Sequence, residues 1–283
     1  MKREQEKNKD PVVSRHFITY GDSRFASAKG RIIREAQATG EFDRVVSYGP
    51  EDVSEDLRRE PIFAERRGGG YWTWKPDIIF TEMKDMQDDD ILVYADAGCE
   101  LVPGREWGRY WRILKTKELV AQRIYQTNVQ WTRQTIVKTF SENPCGWLRC
   151  CQFMATVVML RKTQMTIRLV DEWRSLMVSR PELVRDVMPD ERAGESPEFI
   201  ENRHDQALLS ALLYRELGRG DSRRRIHVQW EHVENLDILR SHVIRAMRWN
   251  MDCPIPLHRR FREAFIRLGK DAILRPIYQI FAH

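Results

Sequence analysis

The first fifty residues alternate between two short apolar segments and one amphipathic segment, and this alternation restricts the fold more than any other feature. Residues 16–21 and 44–49 each form an apolar run that ends at a glycine. Between them, apolar side chains recur at helical spacing from Phe25 to Ala36, and Gly40 then ends the predicted helix. Parallel strands need a crossover connection of this kind, which is usually a helix. We therefore predict an α/β fold with a mostly parallel central sheet flanked by helices.

A second apolar run ends in an acidic residue. Residues 91–98 read ILVYADAG, which predicts a buried strand that ends at Asp96 and Gly98. In open parallel sheets, ligands bind beyond the carboxyl ends of the strands, so Asp96 stands where chemistry is expected. The remaining pattern predicts helices over 76–86 and 207–217 and strands over 153–160 and 226–230.

The basic charge of the chain is concentrated near its end. The sequence of 283 residues has a formal net charge of +5, yet residues 238–283 hold nine basic and three acidic residues, so the remainder sums to −1. Apolar residues within 257–268 recur at helical spacing. We predict a disordered lead-in over 1–14, a catalytic domain over 15–237 and a basic amphipathic helical tail over 238–283. Such a tail suits an anionic membrane surface or packing against the domain, and the sequence leaves both open.

Common catalytic and targeting signatures are missing from the sequence. It contains no P-loop, no G-x-G-x-x-G, no H-E-x-x-H and no G-x-S-x-G motif, which argues against the usual ATPases, dehydrogenases, zinc proteases and serine hydrolases. It also contains neither a signal-peptide pattern nor an apolar run of membrane-spanning length. We therefore expect a cytoplasmic protein, which would be peripheral at the inner face of the membrane if the tail lies on lipid rather than on the domain.

Three short segments carry the functional signal. They are GGGYWTWKP at 68–76, YADAG at 94–98 and HDQ at 204–206. In order and spacing they resemble the motifs of GT-A-fold, sugar-nucleotide-dependent glycosyltransferases, particularly bacterial capsule and lipopolysaccharide enzymes. The resemblance covers about residues 16–235. It implies a GT-A-like fold and transfer of a sugar from a nucleoside-diphosphate sugar to a hydroxyl of a glycan or glycolipid acceptor, in surface polysaccharide synthesis.

The resemblance also implies roles for individual residues. Asp205 would be the catalytic residue, either as general base in an inverting enzyme or as an acceptor-orienting group in a retaining one. The alternative is an N-cap or first-turn carboxylate that only stabilises the helix. Trp72 and Trp74 are interpreted as core residues. The donor would contact Tyr20, Gly21, Asp22, Arg67, Lys75 and Asp96, and the acceptor would contact His204 and Gln206.

A divalent cation is the cofactor that the resemblance implies. The leaving diphosphate develops negative charge, and related enzymes hold Mn²⁺ or Mg²⁺ against it with a D-x-D element. Here Asp96 matches the first carboxylate, but Gly98 stands at the second position. Glu100, water or His227 are candidates to complete the metal shell, and Arg67 and Lys75 are candidates to replace part of its charge.

Two other functions remain open at this stage. A nucleotidyltransferase on a similar sheet would also use strand-end carboxylates and a metal. A non-catalytic membrane- or nucleic-acid-binding protein would act through the basic tail. The nearly neutral charge of the body argues against extended contact with nucleic acid, so no nucleic-acid partner is expected.

Overall fold

The computed structural model describes residues 13–231 and 242–251. Its strands are β1 (Arg15–Tyr20), β2 (Arg44–Tyr48), β3 (Ile91–Ala95), β4 (Glu100–Leu101), β5 (Leu119–Thr127), β6 (Cys151–Phe153), β7 (Val157–Arg161), β8 (Ile226–Trp230) and β9 (Ile244–Arg245). Its α-helices are α1 (Ala26–Thr39), α2 (Glu55–Arg59), α3 (Gly68–Tyr71), α4 (Trp74–Asp85), α5 (Glu106–Thr116), α6 (Asn128–Trp131), α7 (Gln134–Thr139), α8 (Gln164–Ser179), α9 (His204–Gly218) and α10 (Gly220–Arg225).

The central sheet is mixed, with one prevailing strand direction. β1 pairs in parallel with β2 and β3, and β5 pairs in parallel with β8. β7 runs antiparallel between β3 and β5, and β6 runs antiparallel to β5. Within the described residues, five of the seven strands of this sheet therefore run in one direction, and only β6 and β7 oppose them. The predicted α/β fold with a mostly parallel sheet is confirmed.

The pleat of the strands sends alternate side chains into two separate cores. In β3, Leu92 and Tyr94 face one core, whereas Val93 and Ala95 face the other. Helices α4, α8 and α9 cover the first face, and α1 and α5 cover the second. Because the side-chain period of a strand is two, Asp96 continues on the face of Tyr94, which is the face covered by α4 and α9.

One predicted strand is divided in the structure. The sequence predicts a single strand over 153–160, but β6 ends at Phe153 and β7 begins at Val157. The intervening backbone is used for other contacts: the carbonyl of Ala155 accepts from Lys75 Nζ, and that of Thr156 accepts from the backbone N–H of Asp96. The interruption therefore brings two carbonyl groups to the end of β3.

Part of the predicted tail packs against the body. β9 pairs with β4, and Val243, Ile244 and Met247 are buried. Residues 242–251 thus contain a short strand and no helix. The amphipathic segment 257–268 and the first twelve residues of the predicted lead-in lie outside the described residues, and the domain boundary at 238 stays a prediction. None of the helices in the described part has the length and apolar character needed to cross a membrane.

Candidate active site

The glycine-rich segment forms a left-handed turn. Five consecutive residues have positive φ, from Gly68 (60°) through Gly69, Gly70 (91°) and Tyr71 to Trp72 (60°). This conformation costs an ordinary residue about 1–2 kcal/mol, which explains why three of the five are glycines. The indole Nε1 of Trp74 closes the turn by donating to the carbonyl of Gly68 at 2.9 Å. The turn leaves Trp72 half-buried at the surface of the site.

Gly70 is a residue of this turn whose replacement would bring a side chain against backbone. A Cβ added there would stand 2.9 Å from the Cα of Phe63, whereas a Cβ on Gly40, whose φ of 68° is also positive, would meet nothing within 4 Å. We expect Gly40→Ala to lower the free energy of unfolding by about 1–2 kcal/mol from backbone strain alone. Gly70→Ala should cost more, because the clash with backbone adds to the strain. Urea unfolding of both variants checks this, and equal costs would contradict it.

Lys75 lies at the centre of the site, in the first turn of α4. Its side chain is only 3% exposed, and its ammonium is 2.9 Å from Asp205 Oδ2 and 3.3 Å from Asp96 Oδ1. It also donates to the carbonyl of Ala155 at 3.1 Å. Burial opposes the charge of Lys75, but the two carboxylates outweigh it, so the pKa of Lys75 is raised above its usual value. The lysine is therefore a charged bridge between two acids.

Asp96 lies where β3 ends. Its Oδ1 accepts from the hydroxyl of Tyr94 at 2.5 Å as well as contacting Lys75, and the side chain is 37% exposed. Burial, followed by the charge of Asp96, raises the pKa of Tyr94 well above its usual value, so Tyr94 stays a hydrogen-bond donor. One carboxylate oxygen of Asp96 is thus held by two donors while the residue still reaches the surface of the site.

Asp205 enters the site from the first turn of α9. Its side chain is 8% exposed, and burial raises the pKa of the carboxyl above its usual value, although Lys75 acts in the opposite direction. The residue that precedes α9 is Arg203, and it makes no side-chain cap bond. Asp205 is therefore placed as a buried acid opposite Lys75 rather than as the N-cap.

His204 is held in place from both ring nitrogens. Nδ1 is 2.7 Å from the carbonyl of Val184, and Nε2 is 3.1 Å from the Nε of Arg67, which must donate. Burial lowers the pKa of His204, in agreement with a neutral ring whose Nδ1–H donates to Val184. The ring also stacks on Trp72, with centroids 5.2 Å apart. His204 therefore fixes the position of Trp72.

Two cavities meet at the end of β3. The first, which we call the glycine cleft, has a volume of about 310 Å³ and is lined by the end of β1, Arg24, Arg66, Gly68 and Gly69. The second, which we call the acid pocket, has a volume of about 170 Å³ and is lined by Lys75, Asp205 and Gln206 among others. Trp72 and Asp96 line both cavities. The two spaces are thus separated by one indole ring and one carboxylate.

The structure brings most of the predicted site residues together. Tyr20, Gly21, Asp22 and Asp96 line the glycine cleft, and Lys75, Asp96, His204, Asp205 and Gln206 line the acid pocket. Tyr20 stacks on Trp74, with ring centroids 3.8 Å apart, which agrees with a core position for Trp74. Trp74 also lines the glycine cleft, whereas Trp72 is only half-buried and lines both cavities.

Arg67 lies differently from its predicted donor position. Its guanidinium contacts His204 and is 3.3 Å from Asp186 Oδ1, and it lines neither cavity. The preceding residue, Arg66, lines the glycine cleft instead. The left-handed turn that begins at Gly68 gives the two neighbouring arginines different surroundings, and no periodicity in the sequence indicates which of them faces the cleft.

Several residues that line the two cavities were not indicated as site residues by any pattern in the sequence. Arg203 and Arg248 line the acid pocket, together with Gln126 and Thr156, and Arg24 lines the glycine cleft. Arg248 is 150 positions away from Gly98, yet a Cβ on Gly98 would stand 3.2 Å from its Cα. The pairing of β4 with β9 and the bond from Trp249 N–H to the carbonyl of Gly98 help to bring these segments together.

The side chains around Asp96 do not fit a divalent metal. Glu100 is buried against Arg245, 3.2 Å from its Nη1. His227 is in register with Val120 on β5, three strand spacings or about 14 Å from β3. The Oδ1 of Asp96 already contacts the ammonium of Lys75. Across residues 13–231 and 242–251, no group of three or more His, Cys, Asp or Glu side chains is arranged to hold a metal ion.

Several solved structures are similar to this fold. The match to mouse xyloside xylosyltransferase 1 covers 86% of this chain and 100% of the mouse chain, with 12% identity and a TM-score of 0.42. The match to the bifunctional glycosyltransferase WbbM covers 81% of this chain and 40% of the WbbM chain, with 9% identity and a TM-score of 0.45. The match to the galactosyltransferase LgtC, in complex with donor and acceptor sugar analogues, covers 75% of this chain and 72% of the LgtC chain, with 13% identity and a TM-score of 0.36.

All three of these solved structures are named as glycosyltransferases. No protein-family model matches the sequence, and no curated protein matches it significantly.

Proposed function

We propose that this protein is a glycosyltransferase that moves a sugar from a nucleoside-diphosphate sugar to a hydroxyl of an acceptor glycan or glycolipid. One observation carries the proposal. The two adjoining cavities share Asp96, and the buried Lys75 joins this carboxylate to Asp205 in the acid pocket. A transfer between two substrates requires two such spaces with reactive groups at their junction. A nucleotidyl transfer by two metal ions would need further carboxylates beside Asp96.

The glycine cleft supports donor binding. Gly68 and Gly69 expose backbone without side chains, which allows a close approach by phosphate or ribose. Arg24 and Arg66 line the same space and supply positive charge for the diphosphate. Tyr20, Gly21 and Asp22, at the end of β1, would contact the nucleoside, and the sugar would extend towards Trp72 and Asp96.

The acid pocket supports acceptor binding and the chemical step. In the transfer, the bond from the anomeric carbon to the diphosphate oxygen breaks and a bond from that carbon to the acceptor oxygen forms. The acceptor hydroxyl must lose its proton, and we assign its uptake to Asp205. The raised pKa of this buried carboxyl suits a proton acceptor. His204 and Gln206 would orient the acceptor, and Gln206 is itself held by a bond to Gln152 at 2.9 Å.

Surface polysaccharide synthesis and peripheral contact with an anionic membrane through residues 252–283 belong to the same proposal. The motif resemblance and the basic composition of the tail support them. Binding to vesicles that contain anionic lipid, compared between the full chain and a chain that ends at Met251, tests the membrane contact. Equal binding by the two chains would remove it from the proposal.

A panel of sugar nucleotides tests the proposed function. The purified chain is titrated calorimetrically with UDP-, GDP- and dTDP-sugars, with EDTA and separately with Mn²⁺, and donor hydrolysis is followed. We expect at least one donor to bind and to be hydrolysed. Asp96→Asn should lower that turnover by about 100-fold or more. Asp88→Asn, on the exposed turn before β3, is the matched control and should leave it unchanged. If a folded protein binds none of the donors in either condition, the proposed function is wrong.

A further inference from the structure

We infer that the diphosphate of the donor is neutralised by the protein's own cations, with Arg248 as the principal phosphate-binding residue. This inference rests on the proposed function and departs from the divalent cation that the sequence resemblance implies. It begins at Gly98, the position at which a second carboxylate of a D-x-D element would stand.

The backbone around Arg248 occupies the space next to Gly98. A Cβ on Gly98 would be 3.2 Å from the Cα of Arg248, and the N–H of Trp249 donates to the carbonyl of Gly98 at 3.1 Å. A second hydrogen bond, from Arg31 Nη2 to the carbonyl of Trp249, fixes the segment from the other side. The absence of a side chain at residue 98 therefore permits an arginine to lie against the strand end.

Arg248 itself is directed by an unusual backbone conformation. Its φ is 49°, a value that ordinary residues adopt at a cost in energy. Its side chain is exposed and lines the acid pocket next to Asp96. The residues before it, Ala246 and Met247, are buried, so the chain is anchored up to the arginine. The strained and anchored backbone presents this cation to the acid pocket beside Asp96, which also lines the glycine cleft, and this placement fits binding of an anion where the two cavities adjoin.

The charge balance of the two cavities points the same way. Five cations line them, namely Arg24, Arg66, Lys75, Arg203 and Arg248, against three carboxylates, Asp22, Asp96 and Asp205. A divalent cation at a phosphate site is usually held by one or two carboxylates together with the substrate phosphates, and here the carboxylate of Asp96 is already paired with Lys75. An excess of two positive charges instead complements the two negative charges of the diphosphate in a nucleoside-diphosphate sugar, and arginine binds phosphate oxygens in a bidentate way.

Lys75 strengthens the argument against a metal on Asp96. Its ammonium is 3.3 Å from Asp96 Oδ1, and Tyr94 donates to the same oxygen. A dication on this carboxylate would be close to a buried positive charge, and the repulsion would oppose its binding. The carboxylate of Asp96 is thus placed to orient Lys75 and to accept a hydrogen bond from the donor sugar.

Calorimetric titration of the full chain with UDP and GDP tests the inference. After treatment with EDTA, we expect the dissociation constant of the preferred nucleotide to lie within about threefold of its value in 5 mM Mn²⁺. Arg248→Ala should raise it by about 10-fold to 100-fold, the loss of one charge-assisted hydrogen-bond pair. Arg248→Lys should recover part of the affinity. Arg149→Ala, which removes an exposed arginine paired with Glu198 and lining neither cavity, should change nothing.

The free nucleosides uridine and guanosine separate phosphate binding from damage to the site. They lack phosphate, so Arg248→Ala should bind them as the wild type does. An equal loss for nucleoside and nucleotide would show that Arg248 acts on the structure and would overturn the inference. Gly98→Ala offers a second variant that changes no charge: its Cβ must displace Arg248, so it too should weaken binding of the diphosphate but not of the nucleoside.

The outcomes distinguish this inference from the proposed function. Binding that appears only with Mn²⁺ would overturn the role of Arg248 and leave the glycosyltransferase proposal intact. Binding in EDTA that is insensitive to Arg248→Ala would also overturn it. Failure of every nucleotide and sugar nucleotide to bind, with or without Mn²⁺, would instead remove the proposed function.

Discussion

Lys75→Met is expected to abolish measurable transfer and to lower the free energy of unfolding by about 3–5 kcal/mol near neutral pH. Methionine keeps the length and much of the volume of the side chain but removes its charge. Asp205, 8% exposed, and Asp96 then face each other without the ammonium that lies between them. Removal of one partner from a buried ion pair leaves an uncompensated charge, which explains the size of the expected loss.

The stability deficit of Lys75→Met should depend on pH with a defined sign. Burial already raises the pKa of Asp205 in the folded protein, and loss of Lys75 removes the main influence that lowers it. A carboxyl whose folded pKa exceeds its unfolded pKa favours folding in its protonated form. Its favourable contribution is complete below the unfolded pKa and is lost as the pH rises through the folded pKa. The deficit should therefore shrink on acidification, as Asp205 takes up a proton.

Urea unfolding of wild type and variant from pH 5 to pH 8 measures both effects. Lys84→Met, on the same helix, is the matched control, because Lys84 is exposed and its ammonium contacts only the ring of Phe80 among the interactions described. Its effect should stay within about 0.5 kcal/mol. A deficit for Lys75→Met as small as that of the control, or one that grows as the pH falls, would contradict the bridge between the two acids.

The strands and helices could be predicted from the sequence wherever a local pattern of apolar residues and glycines determines them. The strand–helix–strand alternation over residues 16–49 predicts β1, α1 and β2, because apolar periodicity and a glycine stop are local properties. The division of the predicted strand 153–160 was not accessible, since it depends on what Lys75 and Asp96 require from the carbonyls of Ala155 and Thr156. Packing of distant segments decides such details.

In the candidate site, too, the residues within local motifs were predictable from the sequence, and those placed by tertiary packing were not. Asp96 and Asp205 were identified by short motifs at the end of a strand and the start of a helix, and the period of the strand places Tyr94 and Asp96 on one face. The choice of Arg66 rather than Arg67 for the glycine cleft depends on five successive left-handed residues, which three glycines suggest but do not specify. Arg248 is accessible only from the tertiary structure, through its contact with Gly98.

Asp205→Asn is expected to lower the turnover number by about 100-fold to 10,000-fold, the usual contribution of a general base. The amide keeps the shape of the carboxylate and its oxygen still accepts from Lys75, so the fold should be retained. Asp205 carries no positive charge that could bind the diphosphate, and Lys75 stays in contact with Asp96, so nucleotide affinity should stay within about twofold of the wild type. Donor hydrolysis reports the same proton transfer, because water takes the place of the acceptor hydroxyl.

The pH profile separates a proton acceptor from an acceptor-orienting group. Asp205 must be ionised to take up a proton, and burial raises its pKa, so wild-type turnover should fall as the pH falls through that raised value. The acid limb should disappear in Asp205→Asn, whereas Asp190→Asn, an exposed substitution ahead of α9, should retain both the limb and the rate. An Asp205→Asn enzyme that keeps the acid limb, with a rate lowered less than tenfold, would assign Asp205 to orientation of the acceptor, as in a retaining enzyme. If Asp205→Asn loses both the fall in turnover at low pH and most of the rate, Asp205 is the group that takes up the proton. Direct displacement with inversion requires such a group.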